Sequence, residues 1–129
     1  MSTENALMAV RLHLDTLAAA QGIQIAHEAR DQALSLPRIE VADGPQKTET
    51  VTLSGVTRTQ ASIVVTIVTP WGDGTAQGER IKQAIIAGFP LHSLHGGGRI
   101  KSRPVCAPAR RDGAERRMPL SLEIDVFSD

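Results

Sequence analysis

The strongest structural signal in this chain is Ala61-Ser-Ile-Val-Val-Thr-Ile-Val-Thr69, which is followed at once by Pro70-Trp-Gly-Asp-Gly74. Its first nine residues form the longest β-branched run of the chain, with apolar side chains at positions 61, 63, 65 and 67 and a mixture at the even positions. This pattern predicts a central strand that is buried on one face and half covered on the other. The Gly/Asp turn leads into residues 75–88, where Ile81, Ile85 and Gly88 recur at helical spacing and Thr75 is positioned to cap the first turn. A long strand that feeds one amphipathic helix is the predicted organising unit.

Length and composition limit the class of protein. The chain has 129 residues, a length at which one domain can bury roughly two thirds of its unfolded surface, and a single domain over 1–129 is predicted. Its one cysteine, Cys106, cannot form an internal disulfide. No apolar run reaches the roughly 20 residues of a spanning helix, and no basic-then-apolar signal segment opens the sequence. These features predict a soluble, cytosolic protein without membrane partners.

The charges are balanced in total but unevenly distributed. Formal net charge is zero, which argues against wholesale binding to nucleic acid or to an anionic membrane. Residues 1–55 carry seven acids and four bases, whereas residues 99–117 carry seven bases and two acids. With Trp71, Phe89 and Phe127 as the only aromatic residues, the chain has little on which to stack bases or sugars. Recognition is expected to be polar and to involve the backbone.

The remaining elements complete an α+β pattern. Residues 3–21 repeat apolar side chains at helical spacing, with Ser2 or Thr3 as the cap and Gly22 as the stop signal. A short strand follows at Ile23, and an Asp43-Gly44-Pro45 turn is predicted to join strands 38–41 and 49–53 into a hairpin. After the second helix, a Gly-rich flexible link precedes a basic edge strand over 99–105, and residues 118–126 form a cleanly alternating last strand. The predicted fold is α+β, with a mostly antiparallel mixed sheet and two helices packed on one face.

No arrangement of residues predicts an active site, so catalytic, metal and cofactor residues are all expected to be absent. His92 and His95 are three residues apart, but they lie in the Gly-rich link without further ligands. His13 is predicted to be solvated and His27 to end a strand, and neither has a sequence neighbour suited to a dyad. Cys106 is interpreted as a small shielded apolar residue. Residues 72–78 lack the Lys-Ser/Thr and the glycine spacing of a phosphate-binding loop, and a plain strand-to-helix turn is the better interpretation.

The basic segment is the main candidate for a contact surface. Alternation places Arg99, Lys101 and Arg103 on one face of their predicted strand. A further cluster lies where a turn joins this strand to the last one and consists of Arg110, Arg111, Arg116 and Arg117. Two interpretations stay open for this cluster, a solvated hairpin tip or a contact with an acidic partner.

The order of elements resembles that of the small tail terminator-like proteins of tailed bacteriophages. The resemblance covers nearly the whole chain: an N-terminal helix, Pro37-Arg-Ile-Glu-Val41, the strand and Pro-x-Gly-x-Gly turn at 57–75, a helix that ends Ile85-Ile-Ala-Gly-Phe-Pro90, a late basic strand and a closing alternating strand. It implies a virion structural protein that forms a ring, commonly a hexamer, on the head-proximal end of the tail tube. Such a ring stops tube polymerisation and offers a surface for joining to the head and neck. The family has no catalytic residues to transfer.

The same resemblance implies the partners and the location. The partners would be further copies of the chain, the tail tube protein and the connector at the head–neck junction, with DNA only as cargo passing through the ring. Location would be the virion tail, after assembly in the host bacterial cytoplasm. Residues 43–58 contain few large apolar side chains and are predicted to project as a hairpin along a neighbouring subunit, which makes Thr48, Thr50 and Thr52 candidate interface residues.

Two other classes of function remain as alternatives. A nucleic-acid-binding module would use the basic segment 99–117, and its affinity for DNA would fall steeply with salt. A small ligand-binding or enzymatic α+β domain would need a polar-lined pocket with converging titratable groups.

Overall fold

The computed structural model describes residues 3–27, 36–50 and 55–128. In chain order its elements are α1 Thr3–Gln21, β1 Gln24–His27, β2 Arg38–Thr50, β3 Thr57–Pro70, α2 Thr75–Gly88, β4 Leu94–His95, β5 Gly98–Ile100, β6 Val105–Cys106, β7 Arg110–Asp112 and β8 Glu115–Ser128. The predicted α+β class is confirmed, with two helices and a mixed, mostly antiparallel sheet.

The sheet is organised around β3 and β8, which pair antiparallel along their whole lengths. The strand order is β1-β2-β3-β8-β5-β4, and β1 and β2 form the parallel pair. Three short strands, β5, β6 and β7, pair one after another with the edge of β8 that faces away from β3. The chain after α2 therefore runs back along β8 in short pieces, and the first half of the chain lies on the other side of β3.

The core lies between the helices and one face of this sheet. On β3 the predicted odd-numbered face is confirmed, with Ile63, Val65 and Ile67 at most 1% exposed. Val65 and Ile63 stand opposite Leu120 and Leu122 of β8, which are equally buried. Full burial of each such side chain contributes roughly 1.5–3 kcal/mol, so these two alternating strands carry much of the stability.

The end of α1 also follows its local sequence. Gly22 has φ +68, in the left-handed region that favours glycine. The Ile23 N–H donates to the Ala18 carbonyl at 3.0 Å, and the Gly22 N–H donates to Ala19 at 3.1 Å. These are the two hydrogen bonds of a Schellman motif, which satisfies the last carbonyls of the helix and confirms the predicted stop at Gly22.

The predicted turn at residues 43–45 is wrong. Residues 38–50 form one long strand, and its register against β3 shifts between Asp43 and Gln46. Gly44 and Pro45 form a β-bulge there. Proline has no N–H to donate to the pairing of the strands, and position 44 needs a glycine because a Cβ there would lie 2.2 Å from Ser62 Oγ. One long strand to Thr50 therefore replaces the predicted hairpin of strands 38–41 and 49–53, and residues 51–53 of the second predicted strand lie outside the described residues.

The segment after α2 differs from its prediction in two places. Gly96 and Gly97, expected in a flexible link, have φ +56 and +87 and form a two-residue turn that joins β4 to β5. The basic strand expected over 99–105 is divided, because residues 101–104 belong to no strand and separate β5 from β6. Thr75 does not cap α2 either, since Gly74 is the N-cap and no side chain caps it.

Candidate assembly surfaces

The far end of the β2–β3 pair lies beyond the last buried residue of β3, and its β3 half pairs with the end of β8. We call it the assembly arm, meaning residues 46–50 of β2 and 57–60 of β3. The buried core reaches Ala61 on β3, and no residue of the arm belongs to it. Thr48 and Thr50 are exposed, and Thr48 Oγ1 lies 3.0 Å from Thr59 Oγ1. Thr52 lies outside the described residues, so its predicted interface role stays a prediction, as does that of Thr48 and Thr50.

A row of exposed cations follows the opposite edge of the sheet. We call it the basic edge, and its members are Arg99, Lys101, Arg103, Arg110 and Arg111. Within the described ranges none of them forms an ion pair with a carboxylate, although the Arg111 guanidinium lies 5.3 Å from the centre of the Trp71 ring. Because β5 and β7 pair with β8 nine residues apart, the row is about 30 Å long.

Alternation predicted that Arg99, Lys101 and Arg103 lie on one face of a strand, and this prediction is wrong. Arg99 is on the uncovered face of β5, since its neighbours Gly98 and Ile100 are buried towards the helices. Arg103, in the break before β6, instead borders a hollow at the end of α2 that Phe89 and Leu91 also line. The strand break at 101–104 is the reason for this division.

The predicted cluster of four arginines is also divided. Arg110 and Arg111 are exposed, whereas the side chains of Arg116 and Arg117 are 11% and 17% exposed. Successive side chains of a strand point to opposite faces, so Arg116 lies beneath α2 and Arg117 on the uncovered face. Arg116 pairs with Glu79, and Arg117 pairs with Glu40 and Glu115. The interpretation as a solvated hairpin tip therefore applies only to Arg110 and Arg111 on β7.

Arg117 belongs to an ion-pair network on the uncovered face. Its Nη2 lies 2.6 Å from Glu40 Oε1 and its Nη1 lies 3.1 Å from Glu115 Oε1. Arg38 contacts the same two carboxylates at 2.8 and 2.9 Å. Burial by itself would raise the pKa of Glu40, but the hydrogen bonds and charges of Arg117 and Arg38 together outweigh it and hold that pKa below its usual value. The network covers Val68, whose neighbours across the sheet are Arg38 and Arg117, and ties β2, β3 and β8 together.

The Arg116 side chain packs against the first turn of α2. Its guanidinium lies under Gly78, where a Cβ would come within 2.6 Å of Nη1, and 3.8 Å from Glu79. Thr69 is fully buried beside it, and a Cβ on Gly74 would lie 2.6 Å from Thr69 Oγ1. The glycines of the 72–78 loop therefore allow close packing between helix and strand, in agreement with a plain strand-to-helix turn.

The histidines occupy positions that their sequence neighbours did not indicate. His13, predicted to be solvated, is half-buried, with Nε2 2.8 Å from the Gly88 carbonyl oxygen and its ring 5.0 Å from that of Phe89. His95 lies beside it at 5.3 Å between ring centres. Burial, followed by the charge of His13, lowers the pKa of His95. The two rings pack α1 against the end of α2 and β4, a contact between residues 82 positions apart that no local pattern signals.

His27 ends β1 as predicted and gains a partner from another element. Its Nε2 lies 2.7 Å from Asp15 Oδ1, and Arg11 Nη1 lies 2.9 Å from its Nδ1. Arginine only donates, so Nδ1 accepts and Nε2–H donates to Asp15. Arg11 also forms an ion pair with Asp43, with 2.8 Å between Nη2 and Oδ1. Together these side chains join α1 to β1 and β2.

Cys106 is half-buried at the margin of the core, where burial raises the pKa of its thiol, as fits a shielded apolar residue. No group of three or more His, Cys, Asp or Glu side chains in residues 3–27, 36–50 and 55–128 could hold a metal ion. Across the same ranges, no helix combines the length and apolarity needed to cross a membrane.

Sequence reasoning missed a hollow on the helix side, between α1 and the bulge of β2. We call it the acid-rimmed hollow, and its lining residues are Glu4, Leu7, Met8, Arg11 and Asp43. Glu4 and Asp43 are exposed, and so is Met8 at 63%. Met8 and Leu12, apolar residues of α1 beside its buried stripe, were the available signal and are 63% and 60% exposed, but Asp43 comes from a distant strand.

These features define an α+β protein with two helices on one face of a mostly antiparallel sheet, with an exposed polar strand end at one sheet edge and exposed cations at the other. No family model matches the chain, and no curated protein matches it significantly. A solved protein whose name states no function is similar over 98% of this chain and 96% of its own, with 20% identity and a TM-score of 0.67. A chain of the virion of a native gene transfer agent particle is similar over 94% of this chain and 93% of its own, with 18% identity and a TM-score of 0.61. At such identities the likeness shows a shared fold.

Proposed function

We propose that this chain is a virion structural protein without catalytic activity, and that it acts as a tail terminator. The observation that carries the proposal is the likeness of fold to a gene transfer agent virion chain, which extends over 94% of this chain and 93% of the other. The order of elements that resembles tail terminator-like proteins supports the same role independently, because it depends on the sequence alone.

The proposed mechanism is the capping of a tube by a ring. Copies of the chain, six in the form that the resemblance implies, would sit on the last ring of the tail tube. The outer surface of this cap would not match another tube subunit, so polymerisation would stop, and the same surface would meet the head–neck connector. DNA would only pass through the opening.

The assembly arm is the proposed contact between neighbouring subunits. Its helix-side positions hold threonines, among them Thr48 and Thr59, so it has little apolar surface to bury within its own chain. Its two strands are nevertheless held together, since Glu49 and Arg58 form an ion pair across them. A polar strand pair whose β2 half has no β1 partner suits a small contact with backbone hydrogen bonds, and small contacts of this kind favour rings only at high concentration or on a template.

Electron microscopy of the purified protein tests the proposal. Rings are expected at high protein concentration, and the protein added to growing tail tubes of its own particle is expected to appear at one end and to limit their length. Size-exclusion chromatography coupled to light scattering would give the number of subunits. Tubes that grow to the same length with and without the protein, together with no rings at any concentration, would contradict the proposal.

A further inference from the structure

The acid-rimmed hollow has the chemistry of a socket for a basic side chain. Its volume is about 290 Å³, and Leu7, only 8% exposed, contributes apolar lining beside the exposed Met8. Arg11 is already engaged by Asp43 and His27, whereas Glu4 has no ion-pair partner among the described residues. The three charged residues leave one net negative charge. An apolar lining with carboxylates at the rim suits the aliphatic stem and cationic head of lysine or arginine.

The basic edge carries cations that no carboxylate of the described residues pairs. Arg99, Lys101 and Arg110 are exposed, and in the part of the chain that the structure describes none has a carboxylate within 4 Å. Arg99 does not enter the acid-rimmed hollow of the same copy, because it is on the face of the sheet opposite the helices, whereas the hollow lies beside α1. Arg110 is on β7, which strands β3 and β8 separate from β2 by about 14 Å.

The distribution of charge identifies a second copy as the partner. Residues 99–117 carry a net charge of plus five, and because the chain is neutral in total, the remainder carries minus five. Arg116 and Arg117 account for two of these positive charges and already pair with Glu79 and Glu40 of the remainder, so the charge left for a partner comes from the exposed cations of the basic edge. A copy of this chain therefore presents to its neighbour the charge that the basic edge lacks. Contact between two different surfaces is heterologous, and it closes into a ring when the rotation between copies permits.

We infer that a basic side chain from the basic edge of one copy enters the acid-rimmed hollow of the next. This inference rests on the proposed ring and names the surfaces that meet in it. It adds a second contact to that of the assembly arm, on the helix side of the sheet, and it makes assembly dependent on salt because the charges lie at the surface.

Charge reversal tests the inference by sedimentation of the full-length protein. Glu4→Lys is expected to weaken self-association by at least about tenfold, and Glu4→Gln by less, because the first places like charges together and the second only removes attraction. Arg99→Glu, Lys101→Glu and Arg110→Glu are made singly, and at least one of them should show the same loss. Arg80→Glu, which changes the charge equally on the exposed face of α2, is the matched control and should leave association unchanged.

Mixing the variants gives the decisive result. Equal amounts of the Glu4→Lys protein and the defective edge variant should associate again, since each reversed surface now meets its complement. Wild-type rings that Glu4→Lys leaves unchanged would overturn this inference while leaving the proposed ring intact. A wild-type protein that does not self-associate under any condition would overturn both. Edge variants that lose affinity for a short DNA duplex but associate normally would overturn the inference in favour of nucleic acid.

Discussion

Arg117 Nη2 lies 2.6 Å from Glu40 Oε1, a contact between residues 77 positions apart that joins β8 to β2 across the intervening β3. Arg116, the preceding residue, lies on the opposite face under α2. Two adjacent arginines that look equivalent in sequence therefore hold different layers of the molecule together, and charge changes at these positions should alter folding as well as surface charge.

Removing the Arg117 side chain should destabilise the fold. Arg117→Ala leaves Glu40 and Glu115 half-buried with only Arg38 between them, and we expect a loss of about 1–3 kcal/mol in the free energy of unfolding measured with urea. The matched control is Arg110→Ala on the adjacent strand β7, whose side chain is exposed and should change stability by less than about 0.5 kcal/mol. Equal effects of the two substitutions would contradict a structural role for the Arg117 ion pairs.

The same network predicts a dependence of stability on pH. The pKa of Glu40 is lowered in the folded protein, so the folded state binds this proton less tightly than the unfolded state. The stabilisation is therefore present above the ordinary glutamate pKa and is lost as pH falls below about 4. The difference in unfolding free energy between wild type and Glu40→Gln should shrink as pH falls from 7 to 3. In an Arg117→Ala background this dependence should be weaker, and an unchanged dependence would exclude Arg117 as a cause.

Glycines at the start of α2 should differ in their tolerance of alanine. A Cβ on Gly74 would lie 2.4 Å from the Pro70 backbone oxygen, which cannot move aside, so Gly74→Ala should lose about 1–3 kcal/mol in thermal or urea unfolding. At Gly78 the nearest atom is the mobile end of Arg116, at 2.6 Å. Its displacement is offset by the helix-propensity gain of about 1 kcal/mol, and Gly78→Ala should be close to neutral. A neutral Gly74→Ala would mean that the helix does not start against Pro70 in this way.

Cutting the assembly arm at its base should separate folding from assembly. Lys47 and Gln60 are opposite each other, so deletion of residues 48–59 and connection through Asn-Gly leaves a two-residue hairpin. The shortened chain keeps Ala61 and the other buried side chains, although residues 126–128 of β8 lose their pairing partners 57–59, and a folded monomer is expected by circular dichroism. Rings should be lost in light scattering and microscopy. A shortened protein that still caps tails of normal length would show that the arm is not the assembly element.

The elements that the sequence predicted correctly are those with strong local periodicity. Alternation identified β3 and the buried face of β8, and helical spacing with Gly22 identified α1 and its end. Each of these signals depends on residues within a few positions of one another, because a side chain's face follows from its position along one strand or one helix. The α+β class follows from their order.

Such local patterns could not predict how the strands pair or which distant side chains meet. Asp43-Gly44-Pro45 has the composition of a turn, and it became a bulge because the pairing of β2 with β3 continues on both sides of it. Arg116 and Arg117 found Glu79 and Glu40, and Glu4 came to share a hollow with Asp43, through contacts between residues far apart in the chain. Which charges are neutralised and which remain free for a partner is thus a property of packing, since an ion pair needs two groups within a few ångströms in space and places no limit on their separation in sequence.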